Sequence, residues 1–263
     1  MNQSNKKIPV SACIVTFNNE DIICQALHSI LDHTKGVQLD LYVYDNASTD
    51  RTVEKIQDEF QQVWLVKSKK NRGFGAGHNR MIPKLTSQYH VIINPDIMLQ
   101  EDAISQLVDY MEAHPDVAMA VPRFLNEDGS EQFTPKKTPT LRYMVGGRFE
   151  KWGGVFKKWR DEYTMRGETI TEPVDVGFCG GCFMIIRTEV FRQVGGFDTR
   201  YFLYNEDADL TRSVKAFGRT VYVPQVSVVH RWERAYMKKK KYLWIQIQSM
   251  CKYFWKWRGK KDG

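Results

Sequence analysis

Three carboxylates crowd into four positions at Glu206, Asp207 and Asp209, just where the spacing of Leu210, Val214 and Phe217 announces a helix. Acids favour a helix N-terminus because the backbone dipole is positive there. Three together also repel one another, and crowding of like charges raises at least one pKa, which is how a general base is prepared. A carboxylate ready to take a proton is the first chemical expectation.

Asp96 supplies the second. It follows the apolar run Tyr89 to Ile93 and the turn Asn94-Pro95, so its carboxylate stands at a strand end. There it either holds a divalent cation bound to a diphosphate or caps the next helix. His230 closes the run Val226 to Val229, where an imidazole either packs structurally or ligates a metal. Asp45, at the head of Asp45-Asn46-Ala47-Ser48-Thr49-Asp50, accepts from a nucleobase or ribose, or else the whole segment is a turn and helix cap.

Gly73-Phe74-Gly75-Ala76-Gly77 permits close backbone approach to a ligand. The sixth position of a dinucleotide fingerprint is His78, however, which disfavours a dehydrogenase, and no Walker-type phosphate loop occurs. Cys179-Gly180-Gly181-Cys182 lacks the second ligand pair a zinc site would need, so Gly180 and Gly181 read as a tight turn against bound substrate.

The elements needed to gather these groups follow from the hydrophobic pattern. Strands at Val10 to Phe17, Leu39 to Tyr44, Val63 to Val66 and Tyr89 to Ile93 alternate with helical patterns through Ile22 to Leu31 and Val53 to Phe60 and after the glycine-rich segment. This βαβαβαβ order predicts an α/β fold with a mostly parallel central sheet flanked by helices. Ligands bind such sheets at the carboxyl ends of the strands. Those ends carry Thr16-Phe17-Asn18-Asn19, Asp45 to Asp50, Asn71-Arg72-Gly73 and Asn94-Pro95-Asp96, which converge on one polar crevice.

Beyond Asp96 come a helix bearing Ile104, Leu107, Val108 and Met111 and a strand at Val117 to Val121. The regular pattern then fails between about Asn126 and Pro173, an interval rich in Lys, Arg and aromatic residues that reads as a mobile loop region, either a lid or a solvated insertion. Strands resume at Cys182 to Arg187, Thr220 to Val223 and Val226 to Val229, with a short helix after Thr188 and another through Asp209 to Phe217.

With 263 residues and 42% hydrophobic content the chain buries a sizeable core as one large domain or two fused lobes. No apolar stretch approaches the roughly 18 to 20 residues that span a bilayer. The basic start Asn5-Lys6-Lys7 leads into a first strand rather than a signal peptide. Five cysteines, an odd number in apolar surroundings, suggest reduced thiols and a cytoplasmic setting. The net charge of +7 fits nucleic acid, anionic lipid or a phosphate-bearing substrate without choosing among them.

In order, Ile14-Val15-Thr16-Phe17-Asn18, Asp45 to Asp50, Asn71 with Gly73 to Asn79, Asn94-Pro95-Asp96, Gly180-Gly181, Gly195-Gly196-Phe197-Asp198 and Glu206 to Leu210 resemble family 2 glycosyltransferases. The likeness runs over roughly residues 10 to 232 and is greatest to the rhamnosyltransferase-like branch.

The resemblance implies a GT-A fold of two abutting lobes, about 8–96 binding the nucleotide-sugar and about 97–232 the acceptor, with inversion at the anomeric carbon. It implies that Asp45 contacts the base and that Thr16, Asn18, Asn71, Gly73, Asn79 and Asn94 belong to the nucleotide-sugar site. Asp96 would hold a Mn2+ or Mg2+ ion bridging the diphosphate, His230 would complete the coordination, and Asp207 would deprotonate the acceptor hydroxyl. Gly180, Gly181 and Glu206 would face the acceptor and donor sugar.

One departure stands out: the family's metal motif is often Asp-x-Asp, and here its first position is Asn94, so Asp96 must do more. The implied donor is dTDP-rhamnose, with a UDP-hexose or UDP-N-acetylhexosamine as the alternative. The implied acceptor is a hydroxyl on a lipid-linked or polysaccharide glycan of the cell surface.

Two rival readings are weaker. A nucleotidyltransferase would need a glycine- and lysine-rich loop directly after the first strand, and Thr16-Phe17-Asn18-Asn19 is not one. A basic nucleic-acid-binding protein fits the charge, but the acids around Asp207 would repel phosphates.

From Trp232 onward, in the segment 233–263, Lys238 to Lys241, Lys252, Lys256, Arg258, Lys260 and Lys261 interleave with aromatics, and Leu243, Ile247, Met250, Phe254 and Trp257 form a helical stripe. Such a basic amphipathic helix suits an anionic membrane surface, peripheral on the inner face of the cell membrane. It equally suits packing on the catalytic core or a homodimer interface.

Overall fold

The computed structural model describes residues 7–132, 135–231 and 240–260. Its first half is the expected alternation: β1 (Pro9–Thr16), α1 (Ile23–His33), β2 (Gln38–Asp45), α2 (Thr52–Glu59), β3 (Trp64–Lys67), α3 (Phe74–Asn79) and β4 (Tyr89–Ile93). Each of these strands lies within one residue of the expected range at either end.

β1 pairs in parallel with β2 on one side and β4 on the other, and β2 pairs in parallel with β3. Central position explains the composition of β1 and β4, which are apolar almost throughout because both faces are covered. α1 turns Ile23, Ala26, Leu27 and Ile30 onto the sheet, the spacing of one helical face.

The second half adds β5 (Ile97–Met98), α4 (Ala103–Ala113), β6 (Val117–Leu125), α5 (Leu141–Phe149), α6 (Gly154–Tyr163), β7 (Val174–Asp175), β8 (Phe183–Arg187), α7 (Thr188–Gln193), α8 (Glu206–Val214), β9 (Arg219–His230) and α9 (Lys240–Lys256). Among the described residues all strands join one sheet in the order β3-β2-β1-β4-β8-β6-β9-β5, with β7 on the far side of β9. The long β6–β9 ladder is again parallel, while β8 runs antiparallel to both β4 and β6.

The reversal at β8 matters for function. It brings the residues entering β8, Gly180 to Cys182, to the edge where β4, β6 and β9 end, and the Asn94 amide donates to the Cys182 carbonyl at 2.8 Å.

Three expectations change. The interval from Asn126 to Pro173 is not a structureless loop, because α5 and α6 form a helical hairpin within it. A Cβ on Gly146 would meet the Trp159 Cβ at 2.8 Å, so that glycine sets how closely the two helices pack. Glycines at 146, 147, 153 and 154 had broken the apolar period. The strands Thr220 to Val223 and Val226 to Val229 are one strand, β9, whose register against β6 slips between Pro122 and Arg123. Pro224, which has no N–H to give the ladder, falls in the slipped stretch. The two-residue strands β5 and β7 are too short to leave a periodic signal.

Beneath α3, His78 and His90 are fully buried. His78 packs against Phe74 and Phe197, its ring centroid 4.6 Å and 5.6 Å from theirs, and neither ring nitrogen has a hydrogen-bond partner. His90 Nδ1 lies 2.8 Å from the Ser11 hydroxyl. Burial holds both imidazoles neutral, pushing His90 down to about 3 and His78 well below its usual value.

Candidate active site

The strand-end loops of the first half are knitted by their own polar side chains. The Thr16 hydroxyl at the end of β1 donates to Asn19 Oδ1 at 2.9 Å. Asn18 adopts the left-handed conformation at φ 54° and accepts the Thr49 amide at 2.8 Å, tying the first strand end to the second. Asp45 is 3% exposed and takes the Ser48 N–H on both oxygens at 3.2 Å, so the turn-forming role foreseen for it is present.

Asn46 was visible in the sequence only as part of a motif, yet it joins the second strand end to the third. Its Nδ2 donates to the Gly73 carbonyl at 3.1 Å and its Oδ1 accepts the Arg72 N–H at 2.8 Å. Asn71 Oδ1 accepts the Gly73 N–H at 2.9 Å. Gly73 sits at φ 90°, and a Cβ there would lie 2.4 Å from the Phe202 carbonyl, so only glycine lets this loop approach the segment before α8. Asn79 stands apart from this set: both ends of its amide serve Phe197, Nδ2 donating to the carbonyl at 2.7 Å and Oδ1 accepting the N–H at 2.8 Å.

At the end of β4, Asp96 meets His230. Register explains the meeting, because Ile97 of β5 pairs with His230 at the end of β9. Asp96 Oδ2 lies 3.3 Å from His230 Nε2, while Asp96 Oδ1 is buried with no hydrogen-bond partner. Gln132, unnoticed in the sequence, orients the ring: its Oε1 lies 3.0 Å from His230 Nδ1 and its Nε2 donates to the His230 carbonyl at 2.8 Å.

Burial opposes charge on His230, but Cys182 and Asp96 against the ring outweigh it and push the imidazole up to about 10. An orphaned carboxylate oxygen beside an imidazole fits a divalent cation, which would displace the shared proton. No cluster of three or more His, Cys, Asp or Glu side chains placed for a metal occurs among the described residues, so a cation here would need further ligands from substrate and water.

The three acids of α8 resolve into three situations. Asp207 Oδ2 accepts the Gly181 N–H at 3.0 Å and its Oδ1 accepts the Ala208 N–H at 2.9 Å. Burial pushes this carboxyl above the usual carboxylate range, and the N–H donors and Lys136 restrain the rise. Glu206 is 5% exposed, its Oε2 lacks a hydrogen bond, and burial together with the Asp207 charge pushes it well up. Asp209 is paired: Lys256 Nζ donates at 2.6 Å and Trp257 Nε1 at 2.7 Å.

The backbone entering α8 is strained, with Tyr204 at φ 69° and Asn205 at φ 66°. Consecutive left-handed residues other than glycine cost on the order of 1 kcal/mol each and persist where a site demands them. Lys136 also borders Asp207, with its ammonium 4.6 Å from the centroid of the Phe178 ring.

α9 docks on this region. Tyr253 and Ser249 are buried, the Ser249 hydroxyl donates to the Leu203 carbonyl at 2.8 Å, and Lys256 also bridges Asp198 at 3.0 Å. The helix therefore packs on the catalytic region through Ser249, Tyr253, Lys256 and Trp257, rather than turning the Leu243-to-Trp257 stripe to one side. Leu243 and Ile247 are exposed, while Met250, Phe254 and Trp257 are half-buried. Lys238, Lys239 and Lys261 lie outside the described residues.

One short turn links the two chemical groups. Gly181 holds Asp207 through its amide, and the next residue, Cys182, holds Asn94, two positions before Asp96, through its carbonyl. A carboxylate restrained by backbone donors and a carboxylate–imidazole pair thus share the strand-end edge of one sheet.

Known proteins share this fold. A mannosyltransferase from Pyrobaculum calidifontis, solved with GDP-Man and Mn2+, matches at TM-score 0.64 and 18% identity over 98% of this chain and 67% of that one. GalNAc-T7, solved with UDP, GalNAc and Mn2+, matches at TM-score 0.63 and 16% identity over 93% of this chain and 48% of that one. These likenesses are of fold, and the fold is GT-A.

Among curated relatives, N-acetylglucosaminyl-diphospho-decaprenol L-rhamnosyltransferase of Mycobacterium tuberculosis is 32% identical over 201 residues, 71% of this chain and 64% of its own length. Rhamnosyltransferase WbbL of Escherichia coli is 27% identical over 167 residues, 60% of each chain. The chain thus spans under two thirds of the length of these relatives. The model of glycosyl transferase family 2 matches residues 11–195, and the chain belongs to that family.

Proposed function

We propose that the protein is an inverting glycosyltransferase that moves rhamnose from dTDP-rhamnose to a hydroxyl of a lipid-linked glycan. The observation that supports this reading is the Gly181-Cys182 turn, whose amide binds the candidate base Asp207 and whose carbonyl binds Asn94, two residues before the Asp96 that meets His230. Segment 8–96 takes the donor and segment 97–232 the acceptor.

The acceptor oxygen attacks the anomeric carbon as its proton passes to the Asp207 carboxylate. A new carbon–oxygen bond forms, and the bond from the anomeric carbon to the diphosphate oxygen breaks with its electron pair on the leaving group. Glu206, whose carboxyl is pushed well up by burial and the Asp207 charge, offers a hydrogen bond to a sugar hydroxyl. Asp45, Asn46, Asn71 and Gly73 shape the nucleotide end. A Mn2+ or Mg2+ ion at Asp96 and His230 would neutralise charge on the departing diphosphate.

Support for the sugar and acceptor comes from the relatives, both named rhamnosyltransferases, the mycobacterial one for an N-acetylglucosaminyl-diphospho-decaprenol acceptor. Support for the cation comes from the orphaned Asp96 oxygen and from two fold neighbours solved with Mn2+.

Thermal shift against dTDP, UDP, GDP, CDP and NAD, with and without Mn2+ or Mg2+, tests this, because a ligand that binds only the native state stabilises it. The expected result is a metal-dependent rise with dTDP exceeding the others. A larger rise with UDP would move the donor to a UDP-hexose or UDP-N-acetylhexosamine. No rise with any nucleotide would overturn the transferase reading.

A further inference from the structure

α9 has two faces, and only one is used by the catalytic region. The inner face carries Ser249, Tyr253, Lys256 and Trp257 onto α8 and the segment before it. The outer face leaves Leu243 at 45%, Trp244 at 62%, Ile247 at 38% and Trp255 at 73% exposure. Large apolar side chains gathered on one helix face in water mark an interaction surface.

The charge around this face has one sign. Residues 240–260 contain no acid, and Lys252, Arg258 and Lys260 are exposed beside the apolar groups. The Arg258 guanidinium lies 5.1 Å from the centroid of the exposed Trp255 ring, a tryptophan and a cation presented together.

The α5–α6 hairpin, a separate stretch of chain, also presents apolar side chains and cations, while its acids Glu150, Asp161 and Glu162 are each paired with a nearby Arg or Lys. Trp152 is 74% exposed at its tip and Leu141 62%, with Arg148, Lys151 and Lys158 exposed nearby. The base of the hairpin and α9 share one neighbourhood: the Lys137 N–H donates to the carbonyl of Tyr163, which ends α6, at 3.0 Å, and Phe178, bridged to Lys136, packs in the cluster that holds Tyr253 of α9. Both elements thus flank the candidate base.

We infer that the outer face of α9, with the tip of the α5–α6 hairpin, forms a docking surface for an anionic lipid bilayer. Tryptophan and aliphatic side chains enter the headgroup boundary while the cations meet lipid phosphates. No described helix is long and apolar enough to cross a membrane, so the contact is interfacial. A protein partner of mixed charge would gain little from a helix without a single acid, whereas an anionic lipid surface complements it throughout.

The test is co-sedimentation of the full chain with phosphatidylcholine vesicles, with and without phosphatidylglycerol, at low and high salt. Wild type is expected to bind only the anionic vesicles and to lose binding as salt screens the charges. The pair Trp244→Glu and Trp255→Glu should weaken binding about tenfold or more, and Trp152→Glu several-fold, since each removes apolar area from the boundary. All three side chains are exposed, so the melting temperature and turnover on a short-chain, water-soluble acceptor should stay unchanged.

Equal binding by wild type and the α9 pair, or no binding of wild type to anionic vesicles at low salt, would overturn the inference. So would a dimer in sedimentation velocity that the α9 pair dissolves while vesicles are ignored, because the face would then belong to a second copy. Vesicle binding needs no turnover, so failure here leaves the catalytic reading standing.

Discussion

The two sides of the crevice are built in different ways. On the side proposed for the donor, Thr16, Asp45 and Asn71 bond within their own loops while Asn18 and Asn46 bond to the loop of the adjacent parallel strand, all within the first 73 residues. On the side proposed for the acceptor, Asp207 is held by Gly181, bordered by Lys136 and backed by Asp209, which is itself paired with Lys256 and Trp257. Local turns anchored to a rigid sheet make the first wall, and segments brought together from four stretches of chain make the second. Damage should therefore stay local on the donor side and spread on the acceptor side.

The sharpest way to separate the walls is Asp207→Asn. Turnover should fall on the order of 10³-fold through loss of the base while nucleotide binding persists, and steady-state kinetics beside equilibrium binding would show it. Retained turnover would move the base to Glu206.

The spread of damage is tested at Asp209. Asp209→Ala leaves the Lys256 ammonium and the Trp257 N–H without their shared acceptor and should cost about 3 kcal/mol, the low end for a broken buried pair because Lys256 keeps Asp198. Urea denaturation reads this directly, and activity should fall too although Asp209 is kept from the substrate by its partners. Wild-type stability would mean that α9 does not brace α8.

How much of this was legible divides along the same line. The donor wall lay open in sequence order because its strands, their β-branched runs and their polar ends are contiguous, and each loop's partners are near in sequence or on a neighbouring strand. The acceptor wall was only partly legible. Glu206, Asp207 and Asp209 were visible as a cluster, but their separate roles depend on Gly181, 26 residues away from Asp207, and on Lys256, 47 away from Asp209.

Gln132 and Lys136 carried no periodic or motif signal, since the residues they serve at the site lie far away in sequence. The helices α5 and α6 were hidden by paired glycines, and β9 looked like two strands because Pro224 interrupts its pattern. Asn79 read as part of a glycine-rich motif, while its amide serves Phe197, 118 residues away.

The sheet beneath both walls responds to acid. His78 and His90 are neutral in the fold and protonate near 6.5 once unfolded, so the unfolded chain binds more protons below that pH. Their folded values are depressed, so the stability they contribute is present above about 6.5 and is lost as pH falls. At pH 5 His90 should cost about 2 kcal/mol relative to pH 7, with His78 acting in the same direction, and denaturation midpoints at the two pH values measure it. His90→Gln should flatten that dependence, whereas an unchanged slope would remove this imidazole from the account.

The smallest effect expected is at Gln132, which reaches the site through His230. Gln132→Ala should weaken cation affinity about tenfold, the usual cost of losing a partner that orients a ligating imidazole, with stability little altered. A nucleotide titration at varied Mn2+ reads the change.

The central claim is that a cation-holding carboxylate and a proton-accepting carboxylate are separate groups joined by one turn. Calorimetric titration of dTDP with Mn2+ into wild type, Asp96→Ala and Asp207→Asn tests it most directly. The account predicts metal-dependent binding that is lost in Asp96→Ala and kept in Asp207→Asn. Binding lost equally in both, or in neither, would contradict it.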